Sequence, residues 1–312
     1  MEYPAVVIAG PTCTGKSDTA VELALRIGGE VVSADSMQVY RGMDIGTAKI
    51  PAERMRGVPH HMIDIADPED GITVTAFTDT ALGCIEDIRL RGNVPIIVGG
   101  TGFYIESILF ETPEGDEGID REYRDRLKRR AESGELAHLY SELSAKDPRY
   151  AATVHPNNRM RVIRALEYIH ATGKPYSDYA MGGPRDRRFP FRCFVLDDER
   201  RALYRRIDER VDGMMSEGFL DEVRSLAERG LDRDSVSMQG IGYRQLYDAI
   251  LETCSLEDAV RDIKNGTRHI AKRQLTWFRH RGYCEWIDIS RYGREPSAVA
   301  EAIAHILSYS LQ

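Results

Sequence analysis

Short, unbroken apolar runs alternate with amphipathic stretches along the chain. AVVIA (residues 5–9), EVVSAD (30–35), VPIIVGG (94–100) and FRCFVLD (191–197) are rich in β-branched residues and lack polar alternation, the pattern of strands covered on both faces. Residues 16–27 and 74–91 have helical periodicity and lie between these strands. Strand and helix in alternation predict a parallel sheet covered by helices. From about Glu114 the pattern changes. ETPEGDEGID reads as a Gly-rich acidic linker, and REYRDRLKRRAESGELAHLYSELSAKDP and NRMRVIRALEYIHAT as charged helices. Residues 172–191 show no periodicity and read as a long loop. After the strand at 191–197, helices are expected at 200–217, 219–229, 243–252 and 257–281, then a short strand CEWIDI and a closing helix. The expectation is an α/β core from residues 1–114 and 191–312, with residues 115–190 as a helical insertion.

The bulk composition narrows the setting. The chain has 312 residues, 42% of them hydrophobic, and a net charge of −8. No apolar run approaches the roughly 18 to 20 residues of a membrane span, so no membrane partner is expected; the expected address is the cytoplasm and the expected state a monomer. Cys13, Cys84, Cys193, Cys254 and Cys284 are scattered without a CxxC pair, which argues for reduced, mostly buried thiols rather than a disulfide framework or zinc site. His60 and His61 lack a third ligand at metal-binding spacing. The acidic total argues against nucleic acid, but KNGTRHIAKRQLTWFRHR (264–281) carries six Lys and Arg residues and no acid. On a helix Arg268, Lys272 and Arg279 share one face, which suits a path along phosphates.

Chemistry enters at residues 10–17. GPTCTGKS fits G-x-x-x-x-G-K-[ST] between a buried strand and a helix, which makes a P-loop: glycines let N–H groups turn onto an anion, Lys16 adds charge, and Ser17 can hold Mg²⁺. An NTP hydrolase would also need a strand ending in a metal-binding acid. Here VPIIVGG ends in glycines and Thr101, and the acid, Asp35, follows the second strand instead. A small-molecule kinase remains compatible with that spacing.

The motifs GPTCTGKS, DSMQVYRGMDIGTAK, GVPHHMIDIADP, VPIIVGGTGFY, HPNNRMRVIRALE, GIGYRQ and TRHIAKRQLTWFR, spread from about residue 5 to 288, together resemble the tRNA isopentenyltransferase family. The resemblance implies transfer of a dimethylallyl group from dimethylallyl diphosphate to the exocyclic amine of the adenosine 3′ of the anticodon in tRNA. On that reading the loop grips a leaving group, and no Walker-B acid is needed because no P–O bond is broken.

Carried over residue by residue, the resemblance implies Asp35, Thr101 and Arg210 as catalytic residues. Asp35 is the base on the adenine amine, Thr101 positions the reacting groups and Arg210 reaches the diphosphate. Gly10, Pro11, Thr12, Cys13, Thr14, Gly15, Lys16 and Ser17 form the diphosphate cradle, with Mg²⁺ near Ser17. Asp35, Ser36, Met37, Gln38 and Thr101 seat the target adenosine. Arg124, Met160, Arg161, Arg164, Gly240, Gly242, Tyr243, Arg244, Gln245, Arg273, Gln274, Trp277 and Arg279 match segments that touch the anticodon stem-loop. Spacing alone places Trp277 in the core instead.

Two departures stand out: Met160 replaces a glutamine common in the family, and the chain ends in EAIAHILSYSLQ without the Cys/His zinc finger of eukaryotic relatives, which fits a bacterial-type enzyme. The competing readings are an adenylate isopentenyltransferase acting on free nucleotide, a P-loop kinase, and an RNA-binding module without chemistry. The basic stretch and the insertion favour tRNA, because a free nucleotide needs no surface of that size.

Overall fold

The computed structural model describes residues 5–111, 120–180 and 186–309. Residues 112–119 of the expected linker ETPEGDEGID and residues 181–185 of the 172–191 loop lie outside them. Two compact units result, one formed by the residues up to Leu109 and from Phe189 onward, the other by Phe110–Arg188.

In chain order the elements are β1 (Ala5–Ala9), α1 (Lys16–Ile27), β2 (Gly29–Ser33), β3 (His60–His61), α2 (Val74–Leu90), β4 (Val94–Gly99), α3 (Gly102–Leu109), α4 (Arg121–Arg130), α5 (Leu136–Lys146), α6 (Arg159–Thr172), β5 (Phe191–Asp197), α7 (Arg200–Ser216), α8 (Phe219–Glu228), α9 (Tyr243–Ile250), α10 (Leu256–Arg279), β6 (Cys284–Asp288) and α11 (Pro296–Tyr309). The six strands form one parallel sheet in the order β3-β2-β4-β1-β5-β6. The fold is α/β, as the strand-helix alternation predicts. β1 is central because AVVIA is apolar on both faces and fully buried. On one face α1 and α11 place Leu23, Ala24, Val299, Ile303 and Leu307 against Val6, Ile8, Ile96 and Phe194, each fully buried aliphatic side chain stabilising by about 1.5–3 kcal/mol.

The chain runs from β1 to β2 and β4 on one side and returns to β5 on the other. The carboxyl end of β1 is therefore the topological switch point, where parallel sheets open a crevice for ligands. Residues 10–15 sit there.

The second unit is helical. Leu127, Leu139, Leu143, Val162 and Leu166 form its core with Tyr168 and Tyr176. Asp147 is buried and accepts from the N–H groups of Tyr150 at 3.0 Å and Ser177 at 2.6 Å, capping two short helical turns. The second turn, Tyr176–Ala180, occupies part of the stretch expected as loop.

All five cysteines are free thiols; only Cys193 is buried and the others are half-exposed, which corrects the expectation of mostly buried thiols. The other four sit on a strand end, loops and a helix face, whereas Cys193 lies inside β5.

Candidate active site

The phosphate loop is shaped by its own backbone. Gly10 (φ 139°) passes so close to β5 that a Cβ would meet the Leu196 carbonyl oxygen at 2.5 Å. Cys13 and Gly15 also have positive φ, 64° and 78°, and the loop then enters α1. The Pro11 carbonyl accepts from Thr14 Oγ1 at 2.9 Å and from Lys16 Nζ at 2.6 Å. Burial first, then the neighbouring Arg210 charge, pulls the Lys16 ammonium down to about 8, against opposing pulls from Cys13 and Asp35. Arg210, on α7, donates to Cys13 Sγ at 3.8 Å. Two cations and a helix N-terminus thus face one space.

That space is a polar cavity of about 580 Å³, lined by Thr12, Gly15, Lys16, Ser17, Asp35 and Arg210 among others. A second cavity of about 480 Å³ has largely apolar walls, including Tyr40, Tyr104, Val211, Met214, Phe219 and Ile270. Thr12, Cys13, Asp35, Thr47, Arg210 and Gln274 line both. The cavities therefore meet at the carboxylate.

Asp35 follows β2. Its Oδ1 accepts from the N–H groups of Met37 at 2.8 Å and Gln38 at 3.4 Å, while Oδ2 makes no hydrogen bond among the described residues. Thr101 lines the second cavity with Asp35, Ser36 and Met37. Gln38 instead lines the polar cavity; it donates to the Thr47 carbonyl at 3.2 Å and accepts from Ser33 Oγ at 3.2 Å. The glycines of GGTG permit close approach: a Cβ on Gly99 would strike the Ala34 carbonyl, one on Gly100 the Gln274 amide, and one on Gly102 the Trp277 indole.

Helix α10 serves two sides of the molecule. Gln274 Oε1 accepts from the Thr12 N–H at 3.2 Å, so this side chain faces the phosphate loop. Trp277 is half-buried against Gly102, with the Arg281 guanidinium 4.8 Å over its ring. Arg281 pairs in turn with the buried Glu106. On the outer side Lys272, Arg273, Trp277 and His280 border an open groove of about 570 Å³. The basic face is split. Arg268 turns to Asp208 and Lys264 to Asp212, both on α7, whereas Lys272, Arg273 and Arg279 are exposed and make no ion pair among the described residues. Arg268, Lys272 and Arg279 share one face of the continuous α10, as their spacing predicts, but that face is only partly open because the acids of α7 claim its N-terminal end.

Other residues named from the sequence are dispersed. Gly240 lies under the Met37 methyl group, where a Cβ would come within 2.6 Å. Tyr243 is buried and donates to Glu222 Oε1 at 2.6 Å. Gln245 Oε1 accepts from the Gly242 N–H at 2.9 Å, and Arg244 is exposed. In the helical unit, Arg124 makes a bidentate pair with Glu167 at 2.6 and 2.9 Å, and Arg164 also approaches Glu167, at 3.9 Å. Met160, 73% exposed, and Arg161 stand on the open first turn of α6. His61 pairs at 2.7 Å with Glu30, whose carboxyl Arg91 foremost holds down to about 2. No cluster of three His, Cys, Asp or Glu suited to a metal occurs among the described residues.

The sequence matches the family model described as IPP transferase over residues 38–281. The chain belongs to the IPP transferase family. It is 46% identical over 304 residues to a tRNA dimethylallyltransferase of Geobacillus thermodenitrificans, covering 97% of this chain and 95% of that one. Among solved structures it resembles a full-length tRNA isopentenylpyrophosphate transferase from Bacillus halodurans, with TM-score 0.72, 44% identity, and 99% and 98% of the two chains covered. It also resembles a eukaryotic dimethylallyltransferase described as acting on tRNA, with TM-score 0.79, 32% identity, and 91% and 73% covered. The IPP transferase carries no acid at the end of β4, where Gly99 sits against Ala34.

Two parts of this candidate site have no sequence signal. Glu222 looks like an ordinary first-turn acid of α8, yet it holds the loop after Asp35 through the backbone of Asp44, Ile45 and Gly46. Gln274 sits in a stretch read as basic and RNA-facing, and its inward turn follows only from the packing of α10 on Gly100.

Proposed function

We propose that the chain transfers a dimethylallyl group from dimethylallyl diphosphate to the exocyclic amine of the adenosine 3′ of the anticodon in tRNA, releasing diphosphate. The observation that carries this reading is the meeting of a cationic cavity and an apolar one at Asp35. The first suits a diphosphate, the second a flat base withdrawn from its stack. In the reaction the bond between the allylic carbon and the diphosphate oxygen breaks, its electron pair leaving with the diphosphate. The amine nitrogen forms the new bond to that carbon, and its proton passes to Asp35.

Lys16, Arg210 and the loop N–H groups face the charge that grows on the leaving group, a preorganised arrangement of the kind that lowers such barriers most. Asp35 has an oxygen available toward the shared space, and an ionised carboxylate is a competent acceptor once alkylation acidifies the amine. Thr101, beside it, orients the amine. Ser17, on the first turn of α1, is the residue to hold Mg²⁺, which fits an ion ligated mainly by diphosphate oxygens and water; the ion would offset charge on the diphosphate. Ser36 and Met37 line the base side. The exposed Lys272, Arg273 and Arg279, with Met160 and Arg161 of the helical unit, are the candidates to contact the anticodon stem-loop. The enzyme works on this reading as a cytoplasmic monomer.

The test is incubation with Mg²⁺, dimethylallyl diphosphate and either an anticodon stem-loop RNA or free AMP, scored by mass. One C₅ unit gained on the RNA alone is the expected result; a gain on AMP alone would replace tRNA by the free nucleotide as acceptor.

A further inference from the structure

Residues 35–49 leave β2 with Asp35, Ser36 and Met37 and run on without a strand or helix of their own. Backbone amides in such a stretch need partners. Three consecutive ones share a single side chain: the N–H groups of Asp44 and Ile45 donate to Glu222 Oε2 at 2.9 and 2.7 Å, and that of Gly46 donates to Oε1 at 3.1 Å. The Tyr243 hydroxyl donates to Oε1 as well, at 2.6 Å. Phe219, one turn before Glu222 on α8, packs edge-on to Tyr243 with ring centroids 5.0 Å apart. It lies where a Cβ on either Gly46 or Gly242 would be.

We propose that Glu222 is a positioning residue for the transfer reaction, fixing Asp35 against the target amine by clamping residues 44–46. The path between them is made of named bonds. The clamped backbone continues into Thr47, whose carbonyl accepts from Gln38 Nε2. Gln38 is held from the sheet side by Ser33 Oγ, and its own N–H, with that of Met37, donates to Asp35 Oδ1. A carboxylate suits the clamp because it is acceptor-only with room for four donors, and its charge strengthens each bond. A glutamine would turn an NH₂ group toward N–H groups. The 219–245 segment thereby shapes the base side of the site from outside the reacting atoms.

This inference rests on the transfer reading, and its test separates the two. Full-length Glu222→Gln and Tyr243→Phe are compared with the unaltered protein by kcat, by KM for dimethylallyl diphosphate, and by hydrogen exchange at the amides of residues 44–46 and of Thr19 in α1. Expected for Glu222→Gln are a fall in kcat of about ten- to hundredfold, the scale of a misplaced catalytic group, a donor KM within about twofold, and faster exchange at 44–46 with Thr19 unchanged. Tyr243→Phe keeps all three N–H bonds, so its kcat falls by less than about tenfold, again at constant donor KM. An unchanged kcat, unchanged exchange at 44–46, or a donor KM that rises in step with the fall in kcat overturns the proposal. If Glu222→Gln does not fold, Tyr243→Phe decides by the same split. If the unaltered protein transfers no C₅ unit, the transfer reading fails and the proposal falls with it, whereas exchange at 44–46 still reports on the clamp.

Discussion

The phosphate loop and the loop that carries Asp35 border the same two cavities and are built in opposite ways. The first is shaped mainly from within: Thr14 and Lys16 donate to a carbonyl three and five positions earlier, positive φ at Gly10, Cys13 and Gly15 sets its curve, and Gln274 and Arg210 add only one bond each from outside. The second is held by Glu222, 178 residues from Asp44 in sequence, and by ring packing of Phe219 against Gly46. A self-held loop makes an anion site that is ready wherever a strand meets a helix. An externally held loop places its carboxylate only when distant helices are docked.

The largest expected effect is at the carboxylate itself. Asp35→Ala should lower kcat by about 10²- to 10⁴-fold, the usual worth of a general base, with tRNA affinity nearly intact in a filter-binding assay. A binding loss without a rate loss would place Asp35 in recognition instead. Next comes the self-held loop: Lys16→Ala removes a charge-assisted contact worth about 1.5–3 kcal/mol, seen in kcat/KM for the donor. The Lys16 ammonium, brought to about 8 by burial and Arg210, is charged below that pH and neutral above it. Donor kcat/KM should therefore fall as pH rises through about 8, and Lys16→Arg, charged throughout, should lose that alkaline limb.

Gly46→Ala sharpens the contrast, since its Cβ would drive into the Phe219 ring. Overpacking costs about 1–3 kcal/mol, to be read as a lowered Tm with impaired turnover; an unaffected protein would show that the outer support is dispensable. The smallest effect belongs to α10. Arg273→Ala should reduce the slope of log K against log salt for tRNA binding by about one, whereas Arg268→Ala, already paired with Asp208, should leave the slope unchanged.

The same contrast explains what the sequence reveals. β1, α1 and the phosphate loop are legible because their causes are local: an apolar run, a helical period, glycines at fixed offsets. The long helices α7 and α10 are legible from periodicity, and their ends fall close to the expected ones. β3 is two residues long and α3 opens on the glycine of GGTG, so neither has a period to detect. Asp35 can be found through a motif, but its support cannot, because nothing near Glu222 or Phe219 names the backbone they meet. Gln274 and Arg268 fail for a related reason. Helical spacing groups side chains by face, whereas the acids of α7 and the bare backbone at Gly100 decide which of them turn inward.

The strand order has one more consequence, for how the chain comes to be folded. β1 pairs on one side with β4 and on the other with β5, Val7 standing opposite Ile97 and Cys193. During synthesis the first strand waits with one edge unpaired until some two hundred residues have been made, because an entire helical unit is translated before its second neighbour. Contacts so distant in sequence slow folding, and an exposed apolar edge invites wrong partners meanwhile. The phosphate loop at residues 10–17 is thus among the earliest segments made and among the last to gain its final walls.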